Sequence, residues 1–341
     1  MLLEVFQIIW YFVIGISVIM YTVLDGFDLG VGCLHLFTRS DQERRLMLNA
    51  IGPVWDGNEV WLIIVFGAMF VGFPPVYATI CSSFYFIIMI LLMGLMIRAV
   101  AIEFRSKQES IAWRRFWDGM FSIGSYVIAF TLGVLMGNII VGIPIDQDEI
   151  FRGSFAGFFT PYTVLVGILG VTIFMMHGAI YMLMKTEGPM HKRVRRWVNP
   201  TIIIFIICYI ATTIMTLIYK PHMIDIMRET PALFLVGFFA LIAIVCVPLF
   251  ACRGKDGTAF IFSSISIALL FILFGLGTYP NMVLSSLDPS YSLTLFNSSA
   301  TVATFKVVLI VAGIGVPMVL AYGYWIYRIF RGKVTIDETS Y

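Results

Sequence analysis

Charge is what this sequence has least of. Asp, Glu, Lys and Arg make up 12% of its 341 residues, against 60% hydrophobic residues, and the mean hydropathy is +0.95. That balance excludes a soluble globular domain and fits a polytopic membrane protein. A net charge of +2, with no basic patch outside short loops, gives nucleic acid nothing to bind. Histidine is scarce too, at four residues. Only His177 lies well inside an apolar run, while His35, His191 and His222 fall at or beyond run ends. A haem held by two histidines would find no second ligand at matching depth, so His177 is expected to be a hydrogen-bonded packing residue. The five cysteines show no metal-ligand spacing and read as small core residues. Walker, GxSxG, HExxH and CxxC motifs are all missing. The 19 methionines are scattered as in ordinary helix packing, not gathered as in a copper site. Glu4 stands where a signal peptide would be basic, and the first apolar run continues into DGFDLG, so it reads as a retained span.

What is present is a series of apolar runs. A span needs roughly 20 such residues. Nine segments qualify, at about 5–37, 49–73, 77–104, 116–142, 161–184, 199–219, 231–251, 258–280 and 302–328. The first is long enough to be tilted, or broken near Gly26. Gly26–Gly30 and Gly133–Gly137 are small-xxx-small pairs suited to close helix approach. Alternate loops differ in charge. One set carries Arg39, Arg44, Arg45, Arg105, Lys107, Arg114, Arg115, Lys185, Lys192, Arg193, Arg195, Arg196, Arg253, Lys255, Arg328, Arg331 and Lys333; the other has Arg152, Lys220 and Arg228, a count of 17 against 3. The positive-inside rule then puts the N-terminus outside and the C-terminus in the cytoplasm. The largest loops, 143–160 and 281–301, lie outside and are too short to fold as domains.

The stretch NAIGPVWDGNEVW, 49–61, departs from the apolar rule. It opens a span yet carries Asp56 and Glu59, which share a helix face, flanked by Trp55 and Trp61. A charge in hydrocarbon costs at least ~2.5–3.5 kcal/mol, so such residues are rarely idle. Counting ~1.5 Å per residue from the basic helix ends gives a ladder. Asp118 and Glu103 stand near the surface. Then come Arg98 at roughly 9 Å, Asp56 at about 10 Å, Asp28 at about 14 Å, Glu59 at about 15 Å and Asp25 at about 18 Å. Lys306 is the main charge in the outer half. Four deep carboxylates facing one deep cation imply either that some are protonated or that another chain supplies a cation. Both fit a proton route. The plainer reading is that Arg98 bridges carboxylates to lock helices together.

These motifs are those of a known family. YTVLDGFDLGVG in the first span, ERR in the first basic loop, NAIGPVWDGNEVWLI, FPPVYA, RAVAIEFRSK and the later HGAIYMLMKTEG resemble subunit II of the cytochrome bd-type quinol oxidases. The match of motif order and spacing covers about the first half of the chain; the later helices agree in number and topology. The resemblance implies an all-α polytopic fold of nine transmembrane helices. It would comprise a four-helix bundle at 1–142 holding the polar cluster, a second at 161–280, a peripheral ninth helix at 302–328 and a cytoplasmic tail at 329–341. It implies a partner, the haem-bearing subunit I with b- and d-type haems, which oxidises quinol and reduces O2 to water. In that family subunit II binds no haem, stabilises its partner and supplies part of the cytoplasmic proton uptake path. The path would use Asp56, Glu59, Asp25, Asp28 and Glu103, with Arg98 and Trp55 as electrostatic and structural partners. A structural quinone or a lipid is a further ligand that the resemblance allows, and a small single-helix subunit a further partner. The expected location is a bacterial or archaeal cytoplasmic membrane.

Two alternatives stand beside this reading. A proton-coupled secondary transporter would show internal repeats and polar groups reachable from both sides; neither DGFDLG nor WDGNEVW recurs. A purely structural anchor differs only in the job given to the carboxylates.

Overall fold

The computed structural model describes residues 1–335, and its architecture is all-α and polytopic. The helices, in chain order, are α1 (Leu2–Leu34), α2 (Asp41–Ile51), α3 (Trp55–Gly72), α4 (Pro74–Ser83), α5 (Tyr85–Arg105), α6 (Ile111–Val141), α7 (Pro161–Lys185), α8 (Gly188–Tyr219), α9 (Asp225–Glu229), α10 (Phe234–Cys252), α11 (Asp256–Thr278) and α12 (Val302–Ile329). Among the described residues eight helices are long and apolar enough to cross a membrane alone, and α2 with α3 brings the number to nine. The last part of the tail expected at 329–341, residues 336–341, lies outside the described residues.

Three local expectations change. First, α1 runs unbroken through Gly26. Its glycines serve packing instead: a Cβ on Gly26 would lie 2.9 Å from the Phe174 ring, and one on Gly30 only 1.8 Å from the Phe174 carbonyl oxygen. Gly178 of α7 meets Gly30 from the other side, so two backbones touch where side chains would hold them apart. Second, the span expected at 49–73 is two helices bent by 49°. Gly52 and Pro53 interrupt it, because Pro53 has no amide N–H to continue a ladder. The N-terminal piece, α2, is amphipathic and buries Met47, Leu48, Ala50 and Ile51. Third, the next span has a one-residue interruption at Phe84, between α4 and α5.

Helix α7 packs against α1, α6, α8 and α11; α5 pairs with α6, and α10 with α11. Gly133 of α6 faces Val166 and Gly167 of α7, a second close approach. Helix α12 leans on α1 and α3, and only 6% of its apolar stretch is buried. Its ends are pinned. Near one end Phe305 is fully buried among Phe6, Trp10 and Phe73. Beyond the other, the Val334 amide donates to the Lys185 carbonyl at 2.8 Å, and the Lys185 ammonium donates to the Phe330 carbonyl at 2.6 Å.

The two longest loops cap the bundle together. β1 (Asn281–Val283) and β2 (Leu293–Thr294) pair antiparallel, and Ile143 bridges to Ser285. The Ser285 hydroxyl donates to the Ile145 carbonyl at 2.7 Å. Within 143–160, Asp146 accepts from the Ile150 amide at 2.9 Å and the Arg152 guanidinium at 2.6 Å, which hold its carboxyl below the usual range.

Candidate functional site

Three helices bring charge into the apolar bundle at one point. Asp25 and Asp28 sit one turn apart on α1, Glu59 on α3 and Arg98 on α5. Asp25, Asp28 and Arg98 have no exposed surface, and the Glu59 side chain is 20% exposed. Arg98 Nη2 donates to Asp25 Oδ1 at 2.7 Å and lies 4.0 Å from Asp28 Oδ2. Arg98 Nη1 is 3.0 Å from Glu59 Oε1, an ion-pair contact without hydrogen-bond alignment. Asp25 Oδ2, Asp28 Oδ1 and the Tyr21 hydroxyl are buried and find no hydrogen-bond partner among the described residues.

A residue that charge counting overlooked completes the site. Asn58, buried, donates through Nδ2 to Asp28 Oδ2 at 2.7 Å and to the Leu24 carbonyl at 3.2 Å. Its Oδ1 accepts the Tyr327 hydroxyl at 2.9 Å. The cluster is thereby tied to α12.

Other expected members stand elsewhere. Asp56 occupies the first turn of α3, which begins at Trp55, and is exposed, with no ion pair or hydrogen bond among the described residues. Glu103 is exposed near the basic end of α5. Trp55 and Trp61 are buried, yet neither indole donates to a cluster carboxylate. Trp55 belongs to the apolar core around Phe27 and Ile51.

A second charged cluster lies toward the basic end. Asp118 accepts from His35 Nε2 at 2.6 Å, Arg105 Nε at 2.6 Å and Arg44 Nη1 at 2.9 Å. Arg105 also donates to Asp41 at 2.6 Å. Asp118, a few residues inside the fourth span, and Arg105, counted with the loop charges, are both about 1% exposed. The overlooked signal is the pair of helix-end residues, His35 directly after α1 and Arg105 at the end of α5. His177 is held by both nitrogens: Nε2–H donates to the Val23 carbonyl at 3.0 Å, and Nδ1 faces the Ser263 hydroxyl at 2.8 Å. Phe260 stacks on its ring at 4.8 Å. Among the described residues no group of three or more His, Cys, Asp or Glu is placed to hold a metal ion.

Chemically, the first cluster has more acids than bases. One guanidinium cannot neutralise three carboxylates, so protons or a cation from another chain must balance the rest. The second cluster has the opposite character, with Arg44 and Arg105 converging on Asp118, and it is built to hold α1, α2, α5 and α6 together.

Comparison with known proteins places the chain among relatives. The profile of the family described as cytochrome bd terminal oxidase subunit II matches residues 6–330. Cytochrome bd-I ubiquinol oxidase subunit 2 of Escherichia coli strain K12 is 32% identical, over 98% of this chain and 97% of its own length. Cytochrome bd ubiquinol oxidase subunit 2 of Bacillus subtilis is 30% identical, over 97% of each. A chain in the solved structure of bd oxidase from Geobacillus thermodenitrificans superposes with a TM-score of 0.76 at 15% identity, covering 96% of this chain and 98% of that one.

Proposed function

The chain belongs to the cytochrome bd terminal oxidase subunit II family, and from that membership we propose that it stabilises a haem-bearing subunit I and feeds it protons. The complex is a quinol oxidase reducing O2 to water, with b- and d-type haems in the partner. This reading puts the chain in a bacterial or archaeal cytoplasmic membrane, N-terminus outside and C-terminus cytoplasmic. It divides the membrane part into bundles at 1–142 and 161–280 with a ninth helix at 302–328. A single-helix accessory subunit and a structural quinone or lipid are its remaining partners. The family match displaces the secondary-transporter alternative.

The observation that carries the proton role is the excess of buried acid around Arg98. O2 reduction consumes protons at a buried site, and a cluster short of cations stores them. Exposure falls along a chain of carboxylates: Asp56 exposed, Glu59 one turn on and 20% exposed, then Asp28 and Asp25 fully buried. Asp56 is the mouth in this reading, Glu59 the relay, and Asp25 with Asp28 the store. A route that starts at the basic face and ends inside delivers protons without leaking them across.

Asp56→Asn tests the route. It keeps side-chain volume and removes the exchangeable acid. The complex should assemble with normal haem spectra, while proton uptake after a single-turnover O2 pulse slows by about tenfold, a barrier change near 1.4 kcal/mol. Asp56→Glu should recover part of the rate. Uptake at the wild-type rate in Asp56→Asn sinks the relay role.

One observation favours the anchor reading instead: Arg98 joins α5 to α1 and α3 through its ion pairs. That reading expects Glu59→Gln to lower the yield of assembled complex with unchanged turnover per haem. The proton reading expects the reverse.

A further inference from the structure

Outside the membrane core, the basic end of the bundle carries a cleft that the oxidase reading does not use. It measures about 110 Å³ and is lined by Phe37, Arg39, Arg193, Arg196 and Trp197. Phe37 follows the end of α1, and the other wall is the first third of α8. We propose that this cleft binds a phosphate anion, and that its occupant is the headgroup of an anionic glycerophospholipid. The inference stands independently of the proton route.

Charge is the first argument. Among the described residues Glu43 is the one carboxylate in contact with the cleft residues, and it is already engaged: it accepts the Arg39 amide at 2.8 Å and pairs with the Arg193 guanidinium. The Arg39 guanidinium is exposed and has no partner among the described residues. Arg196 spends only Nε, in a long contact of 3.4 Å to the Lys192 carbonyl. Arg39 and Arg196 thus line the cleft with no counter-ion among the described residues, and a phosphate oxygen pair matches a guanidinium fork.

Level and shape distinguish a lipid from a dissolved anion. Trp197 meets Phe37 edge to face at 6.5 Å, an aromatic pair at the depth where apolar helix gives way to charged helix. Beyond Trp197, α8 runs apolar to Tyr219. Ile203, Ile204, Ile207 and Ile210 are exposed there and continue the face of Arg196 at helical spacing. An acyl chain laid on that stripe would put its phosphate at the arginines. Basic pockets at such a membrane face commonly take acidic headgroups.

The test uses the purified two-subunit complex, delipidated in detergent and read by native mass spectrometry. Dioleoylphosphatidylglycerol, dioleoylphosphatidylcholine and inorganic phosphate are added in separate arms. The wild type should retain one more phosphatidylglycerol than Arg39→Gln/Arg196→Gln, with affinity at that site about thirtyfold weaker in the variant. Arg39→Lys/Arg196→Lys should keep most of it, and phosphatidylcholine should not distinguish the proteins. Should the double variant not assemble, Arg39→Gln alone, which removes a partnerless side chain, carries the comparison. Binding of inorganic phosphate but not phosphatidylglycerol, lost in the Gln variants, would support the anion site and overturn the lipid as its source. Equal phosphatidylglycerol retention in wild type and Gln variants, with no phosphate binding, overturns the proposal.

Discussion

Arg98 shows how unequal the two directions of substitution are at a buried charge. It is fully buried between Asp25, Asp28 and Glu59, and its Nε and Nη1 lack aligned hydrogen-bond acceptors. Removing it leaves three acids without their cation, which typically costs ~3–5 kcal/mol. Arg98→Leu is expected to give little assembled oxidase, measured as haem recovered per unit of membrane protein; normal recovery would show that the acids need no cation. Asn58 and Tyr327 call for a gentler probe. Tyr327→Phe loses one neutral hydrogen bond, on the order of 0.5–1.5 kcal/mol. The thermal midpoint should drop by a few degrees while the haem spectrum is kept. An unchanged midpoint would mean that α12 is held by its ends alone. The sequence made Asp25, Asp28, Glu59 and Arg98 visible, because a charge inside an apolar run needs an explanation. It hid Asn58 and Tyr327, since an amide and a phenol are ordinary in a membrane helix. It also hid the ties among His35, Arg105 and Asp118, because helix-end charges look like loop charges until the chain is folded.

The helices themselves were legible wherever hydrophobicity was continuous, and misjudged where a short turn was averaged away. A window of about 19 residues smooths over the turn at Gly52–Val54. At Gly26 only one of the two readings of the long first span, the break, gives way: α1 is continuous there, and the missing Cβ admits Phe174. Close approach of α1 and α7 gives a sharp contrast between two glycines of one helix. A Cβ on Gly30 would sit 1.8 Å from a backbone oxygen, while one on Gly15 would meet nothing within 4 Å. Gly30→Ala must push two helices apart and should abolish stable assembly. Gly15→Ala should be neutral or stabilising by up to about 1 kcal/mol. Thermal unfolding of both variants checks the pair, and equal midpoints would contradict the packing described.

At the scale of the whole molecule, orientation rests on loop charge. Asp148 is exposed in the 143–160 loop, and Cys252 is exposed at the opposite, basic end of α10. In intact cells an impermeant maleimide should label Asp148→Cys and spare Cys252; in inverted vesicles the two should exchange. Labelling of Cys252 from outside would reverse the topology. Nothing in the sequence foretold that the two longest loops meet, since the bond from Ser285 to Ile145 joins residues 140 apart and such pairings carry no local periodicity. The central position of α7 was hidden for the same reason. The polar cluster, by contrast, draws all its charges from the first 105 residues, and this has a consequence for biosynthesis. Asp25 and Arg98 are 73 residues apart in the chain. At about 5–20 residues per second, α1 waits roughly 4–15 s in or beside the insertion machinery before its cation has been made. During that time its two aspartates are either protonated or kept next to water. The newborn chain thus passes through a stage in which Asp25 lacks the guanidinium that it accepts from in the finished protein.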